Sequence, residues 1–351
     1  MRPSHVEAIL SAEVRAAALG QHTPVMLWGA PGVGKSRIVA ALAAAEGVPL
    51  HDVRLAQMEP SDLRGIPFRD GAHVVWSVPA LLPDAERHGA RGILFLDEIS
   101  SAAPSVTAAA YQLILDRRLG EYRVPDGWAI FAAGNRHGDR GVTYQMAAPL
   151  ANRFTHYELE PYLDDWVAWA QRAGIDERLI AFLRFRPDLL FDFDPARQRA
   201  AFPSPRSWEF AHRALAKYGE RPELLPDALA PCVGQPAALA LAAYLEHVGR
   251  LPDVAEIAAG RSFEVPQGVD LQYAVSAALV RHVARQPRGA ARRSACANVL
   301  AYAARLPQRE LGVMLVADLA RALDEPLYDV EGFDAWALAV SDLIGTVRAA
   351  A

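Results

Sequence analysis

Apolar residues fall in two patterns along this chain. Up to residue ~160, short unbroken apolar runs stand between Ala-rich, helix-favouring segments: Val25-Met26-Leu27-Trp28, Ile93-Leu94-Phe95-Leu96 and Trp128-Ala129-Ile130-Phe131-Ala132-Ala133. A strand that is apolar at every position is buried on both faces, so these runs predict a parallel sheet with helices on both sides. From Leu163 onward the pattern is helical, with starts at Asp164-Asp165-Trp166 and Asp176-Glu177, a third helix from Ser207 to Lys217 and a fourth from Gln235 to His247. Pro222, Pro226, Pro231 and Pro252 are expected to separate short helices, and Pro287-Arg288-Gly289 marks the boundary of a helical extension. The expected fold class is α/β, divided into a core over 1–160, an α-helical domain over 161–285 and a C-terminal helical extension over 286–351. Two hairpins are expected inside the core. One runs from Ile66 to Trp76 around Asp70-Gly71, and the other from Tyr122 to Trp128 around Pro125-Asp126-Gly127.

The first apolar run leads into Gly29-Ala30-Pro31-Gly32-Val33-Gly34-Lys35-Ser36. Glycines there let successive N–H groups turn toward a β-phosphate, Lys35 can reach the β- and γ-phosphates, and the Ser36 hydroxyl can ligate Mg²⁺. Arg37 begins the Ala-rich segment that follows, whose helix dipole would face the same phosphates. The second run ends in Asp97-Glu98. Asp97 there can hold Mg²⁺ through its water shell, and Glu98, pointing the other way, can polarise the water that attacks a γ-phosphate. The third run ends in Gly134-Asn135-Arg136, where Asn135 could hold the γ-phosphate or the lytic water. Further on, Arg153 follows Asn152 at a helix end, and Arg206 sits at a helix start that is pre-set by Pro205 and capped from Ser204.

The series Gly29–Ser36, Ile93–Glu98, Asn135, Arg153 and Arg206 resembles the Walker A, Walker B, sensor 1, arginine finger and sensor 2 of an AAA+ ATPase. Within that superfamily, the stretches Arg54–Gly65 and Leu119–Gly127 resemble the MoxR group. The likeness covers residues ~20 to ~250. Asn152 stands where the commoner MoxR pattern has Asp before the finger arginine. The resemblance implies a P-loop sheet with a helical lid and ATP with Mg²⁺ as nucleotide and cofactor. It also implies that Arg206 senses the γ-phosphate in cis and Arg153 reaches a neighbouring subunit's site. It implies a ring, a hexamer, with hairpins facing a central channel and touching a protein substrate around Arg69–His73 and Arg123–Gly127. A partner with a von Willebrand factor A domain and a chaperone-like task are implied as well.

Composition narrows the classes. With 351 residues and 52% hydrophobic content, the chain can bury a sizeable core. The longest apolar stretch, Ala237 to Leu245, is about half a membrane span. The first residues lack the apolar centre of a secretory signal, so a cytoplasmic location is expected. Cys232 and Cys296 have no paired spacing, which excludes a disulfide framework or zinc motif. The net charge of −5 gives no general attraction to nucleic acid, yet seven arginines and no carboxylate lie between Arg281 and Arg309. A nucleic-acid-directed motor gripping through those arginines or the hairpins is the alternative, disfavoured because the hairpins lack interleaved aromatic and basic residues.

Overall fold

A computed structural model describes residues 1–136, 138–139, 144, 146–197, 199–248, 252–323 and 325–343. The chain divides into two compact units, one of Met1–Asp165 with Phe193–Gln198, the other of Trp166–Asp192 with Arg199–Ala351.

The first unit holds every strand. These are β1 (Val25–Trp28), β2 (Leu50–Arg54), β3 (Pro67–Asp70), β4 (His73–Trp76), β5 (Arg91–Asp97), β6 (Arg118–Leu119), β7 (Tyr122–Arg123), β8 (Gly127–Gly134) and β9 (Thr155–Glu158). Five of them form one parallel sheet in the order β2-β5-β8-β1-β9. β8 and the two strands flanking it, β5 and β1, are the ones whose apolar runs are unbroken, because neighbours and helices bury both faces. Edge strand β9 alternates instead. Around the sheet lie α1 (Pro3–Ala17), α2 (Lys35–Glu46), α3 (Pro60–Arg64), α4 (Ala85–His88), α5 (Pro104–Asp116) and α6 (Ala148–Ala151). A core cluster from Met26 to Phe154 joins β1, β5 and β8 to α5.

The expected hairpin at Ile66–Trp76 forms as β3 and β4. Asp70 pairs with His73, so the turn residues are Gly71 and Ala72, with Gly71 at φ +58°. The second hairpin differs from expectation. It is β6 with β7 around Gly120-Glu121, and Asp126-Gly127 is not its turn. The reason is Arg117, whose guanidinium donates to the carbonyls of Pro125 at 2.8 Å and Trp128 at 2.6 Å and so pins that stretch. Gly127 opens β8 instead, where a Cβ would lie 2.2 Å from the Ala90 carbonyl oxygen. Glycine serves close strand approach there, which looks the same in sequence as a turn.

The second unit is helical among its described residues. After α7 (Leu163–Arg172), at whose first turn the division falls, come α8 (Glu177–Phe185), α9 (Pro205–Tyr218), α10 (Leu225–Val233) and α11 (Gln235–Val248). Then follow α12 (Val254–Ala258), α13 (Val269–Ala284), α14 (Ala290–Ala303), α15 (Arg309–Leu323) and α16 (Phe333–Ala339). Pro231 does not separate helices: it lies inside α10, two residues before the helix ends at Val233, where only one backbone hydrogen bond is lost. Pro287-Arg288-Gly289 joins α13 to α14, and both helices contribute to one apolar cluster running from Ile257 to Val340.

Candidate functional site

The site grows out of the C-terminal ends of β1, β5 and β8. After Trp28 the chain turns at Gly29, where a Cβ would sit 2.8 Å from the Leu159 carbonyl oxygen and 3.1 Å from Val33 Cγ2. Gly32 at φ +82° and Gly34 at φ +106° take left-handed geometry that side chains resist. Gly34 is the residue before α2, so the free N–H groups of that helix's first turn lie beside the loop. Ala30 and Val33 are buried, while Pro31 is partly covered.

Lys35 folds back over the loop. Its ammonium donates to the carbonyls of Gly29 at 2.6 Å and Ala30 at 3.2 Å, and to Asn135 Oδ1 at 3.0 Å. An ammonium only donates, so the Asn135 side chain presents its oxygen to Lys35 and leaves its NH₂ facing away. The Asn135 backbone N–H donates to Ser100 Oγ at 3.0 Å. Gly134 makes room for this, since a Cβ there would meet Ser100 Oγ at 2.8 Å and Met26 Cε at 2.9 Å. Ser100 was not singled out from sequence; its only signal is a small polar residue three places beyond Asp97 at the end of a buried strand.

Ser36 Oγ donates to Asp97 Oδ2 at 2.6 Å, while Asp97 Oδ1 accepts the Glu98 backbone N–H at 2.8 Å. Asp97 is buried and Glu98 exposed. Glu98 has φ +58° and ψ +30°, a left-handed backbone that costs a non-glycine residue about 1–2 kcal/mol. The hydroxyl and carboxylate oxygens of Ser36 and Asp97 are the hard donors Mg²⁺ requires, and the glycine loop with Lys35 suits a polyphosphate. The residues present therefore fit both groups.

One strand away, Asp52 on β2 lies near this cluster. Partial burial pushes its carboxyl above the usual aspartate value, the negative charges of Asp97 and Glu98 add to the rise, and Arg54 opposes it. Arg37 is exposed on the first turn of α2. Asn152 ends α6 and Arg153 follows it on the turn into β9, exposed, with no side-chain hydrogen bond or ion pair among the described residues. Arg206 belongs to the second unit, exposed in the first turn of α9, behind a capping box in which Ser204 and Ser207 bond reciprocally at 3.1 Å and 2.7 Å. The structure thus brings Lys35 to Asn135 and Ser36 to Asp97 in two side-by-side hydrogen-bonded pairs, with Glu98 next to Asp97, and Arg153 stands outside them.

A parallel sheet of this strand order, with a phosphate loop after its β1 and a carboxylate pair after the strand two places away, defines a P-loop nucleotide-binding protein of the AAA+ class. Residues 24–154 match the AAA domain of the dynein-related subfamily. Protein NorQ of Paracoccus denitrificans is 38% identical over 180 residues, covering 48% of this chain and 65% of NorQ. Midasin of Giardia intestinalis is 31% identical over 169 residues, covering 43% of this chain and 3% of midasin. The chain thus spans less than two thirds of either relative. Among solved structures, a RuvB variant of Thermotoga maritima is 17% identical, with a TM-score of 0.39 and coverage of 95% of this chain and 87% of that one. The nucleotide-binding unit is thus similar to an AAA domain over residues 24–154, and the chain is similar to NorQ over 180 residues. Among the described residues no helix is long and apolar enough to cross a membrane, and no cluster of His, Cys, Asp and Glu suits a metal.

Proposed function

We propose that the chain is a cytoplasmic, chaperone-like remodelling ATPase that works as a ring of copies of itself, six in number, on a protein substrate. The observation that carries the hydrolytic part is the convergence of Lys35 with Ser36, Asp97 and Asn135, brought from three places in the sequence into direct hydrogen bonds. In this proposal Lys35 and the loop N–H groups hold the phosphates, and Ser36 and Asp97 hold Mg²⁺, which would neutralise charge on the transferring phosphoryl group. Glu98 takes the proton of the attacking water, and Asn135 positions that water through the NH₂ that Lys35 leaves free. Arg206 contacts the γ-phosphate in cis. Arg153 is supplied to a neighbour's site, which its exposure and the lack of a side-chain partner among the described residues support. A protein target and a von Willebrand factor A domain partner belong to the same proposal, which rests on the MoxR-like stretches Arg54–Gly65 and Leu119–Gly127.

The test is a pair of substitutions. Lys35→Ala is expected to abolish nucleotide binding, whereas Glu98→Gln should bind ATP and hydrolyse it at least ~10²-fold more slowly, because an amide accepts no proton. Wild-type turnover in Glu98→Gln would show that another group activates the water.

A further inference from the structure

The turn that displays Arg153 is held by a histidine on the next strand. His156, the second residue of β9, pairs in register with Met26 of β1, and its ring meets that of Trp28, the last residue of that strand. The Trp28 indole N–H donates to His156 Nδ1 at 2.8 Å, with the two rings within 9° of parallel. On its other side, His156 Nε2 lies 2.7 Å from the Ala151 carbonyl oxygen. An indole N–H only donates and a carbonyl only accepts, so the imidazole must accept at Nδ1 and donate from Nε2. Its two partners therefore select one neutral tautomer.

The Ala151 carbonyl also accepts the Phe154 N–H at 3.2 Å, and the Arg153 N–H donates to the Leu150 carbonyl at 2.9 Å. Leu150 and Phe154 are buried in the core of the first unit. Between those anchors, Asn152 and Arg153 project into solvent. The imidazole thus ties the backbone of this turn to Trp28, the residue that immediately precedes the phosphate loop.

We infer that His156 is a positioning residue for Arg153, fixing the direction in which the guanidinium leaves the surface toward the neighbouring subunit's γ-phosphate. This rests on the proposed trans role of Arg153. A guanidinium aids phosphoryl transfer only where negative charge develops, and displacement of a reacting group by ~1 Å can cost on the order of 10²-fold in rate. An exposed arginine on a short turn has little else to aim it.

The experiment uses mixed assemblies. Lys35→Ala subunits lack a nucleotide site and retain the finger, whereas Arg153→Ala subunits retain the site and lack the finger. Mixing the two is expected to recover hydrolysis. Adding His156→Ala to the Lys35→Ala subunits should then lower the recovered kcat ~10-fold or more, with KM unchanged. The same change on the Arg153→Ala subunits should leave the recovered rate as it was. His156→Gln on the finger-bearing subunits should restore most of the rate, because its amide can accept from Trp28 and donate to Ala151. Loss confined to the site-bearing subunits, or equal on both, would overturn the proposal and make His156 a support of its own phosphate loop. Absence of any recovery in the parent mixture, with co-assembly demonstrated, would instead refute the trans role of Arg153 and the proposal built on it. Independently of activity, side-chain ¹⁵N shifts should report His156 as neutral and protonated at Nε2; a proton on Nδ1 would exclude the bridge.

Discussion

Two acidic residues show how single side chains are set by this site. Glu98 accepts a left-handed backbone that glycine would adopt without cost, and strain of this kind persists only where surrounding structure holds it. Asp52 carries an unfavourable charge, since burial and then the neighbouring Asp97 and Glu98 raise its pKa above the unfolded aspartate value of about 3.9. The folded chain therefore holds more protons on Asp52 than the unfolded chain as pH rises past that value. Stability is lost across the window up to the raised value and stays lost above it. Asp52→Asn should accordingly raise the melting temperature at pH 7.5 and have less effect at pH 3.5, where the carboxyl is protonated in both states. A variant equally or less stable than wild type at pH 7.5, compared with its effect at pH 3.5, would show that the charge is not a burden there.

At the scale of elements, His22 joins the loop before β1 to the middle of the sheet. Its Nε2 accepts the Ile130 N–H at 2.8 Å, so Nδ1 carries the proton and faces Glu13 Oε2 at 3.0 Å. Burial lowers its pKa, against an upward pull from Glu13. A lowered value means the unfolded chain binds more protons on this ring as pH falls through about 6.5, so stability declines with acidification through that value. Urea unfolding at pH 7.5 and 5.5 should show a larger loss in wild type than in His22→Gln; equal losses would remove His22 from the acid response. The sequence made the sheet legible because the doubly buried runs Ile93–Leu96 of β5 and Trp128–Ala133 of β8 are apolar at every position. It was less legible where one residue type serves two ends. Gly127 looks like a turn former and is a strand residue, Pro231 looks like a breaker and sits in a last helical turn, and the left-handed Arg117 that ends α5 occupies a position usually taken by glycine. The hydrogen bonds from Asn135 to Ser100 and from Trp28 to His156 were illegible, because each joins residues far apart in sequence whose meeting depends on strand order.

For the whole molecule, the distribution of charge bears on what it can grip. The arginines between Arg281 and Arg309 look like a basic surface in one dimension, but the fold supplies acids to most of them. Arg281 pairs with Glu177, Arg288 and Arg292 share Glu325 at 2.7 Å and 2.8 Å, Arg293 faces Asp329 at 3.5 Å, and Arg309 meets Asp342 at 2.5 Å. Arg305 lies over the Phe263 ring at 4.2 Å. Exposed ion pairs of this kind add little to stability, yet they cancel the local positive potential that draws phosphates. With a net charge of −5, the chain has no surplus to release counterions from a duplex. Binding to double-stranded DNA should therefore be absent or nearly independent of salt. A protein that neutralises six phosphates loses about 10³-fold in affinity or more between 50 and 200 mM salt, so the two cases separate clearly in a titration at both concentrations. A steep loss of that size would show that a partner phosphate displaces these carboxylates, and would favour a nucleic-acid motor over a protein remodeller. Glu325→Gln supplies the internal control: it frees the exposed Arg288 while Arg292 stays buried, so any DNA binding it creates should fall with salt by no more than about one phosphate contact's worth.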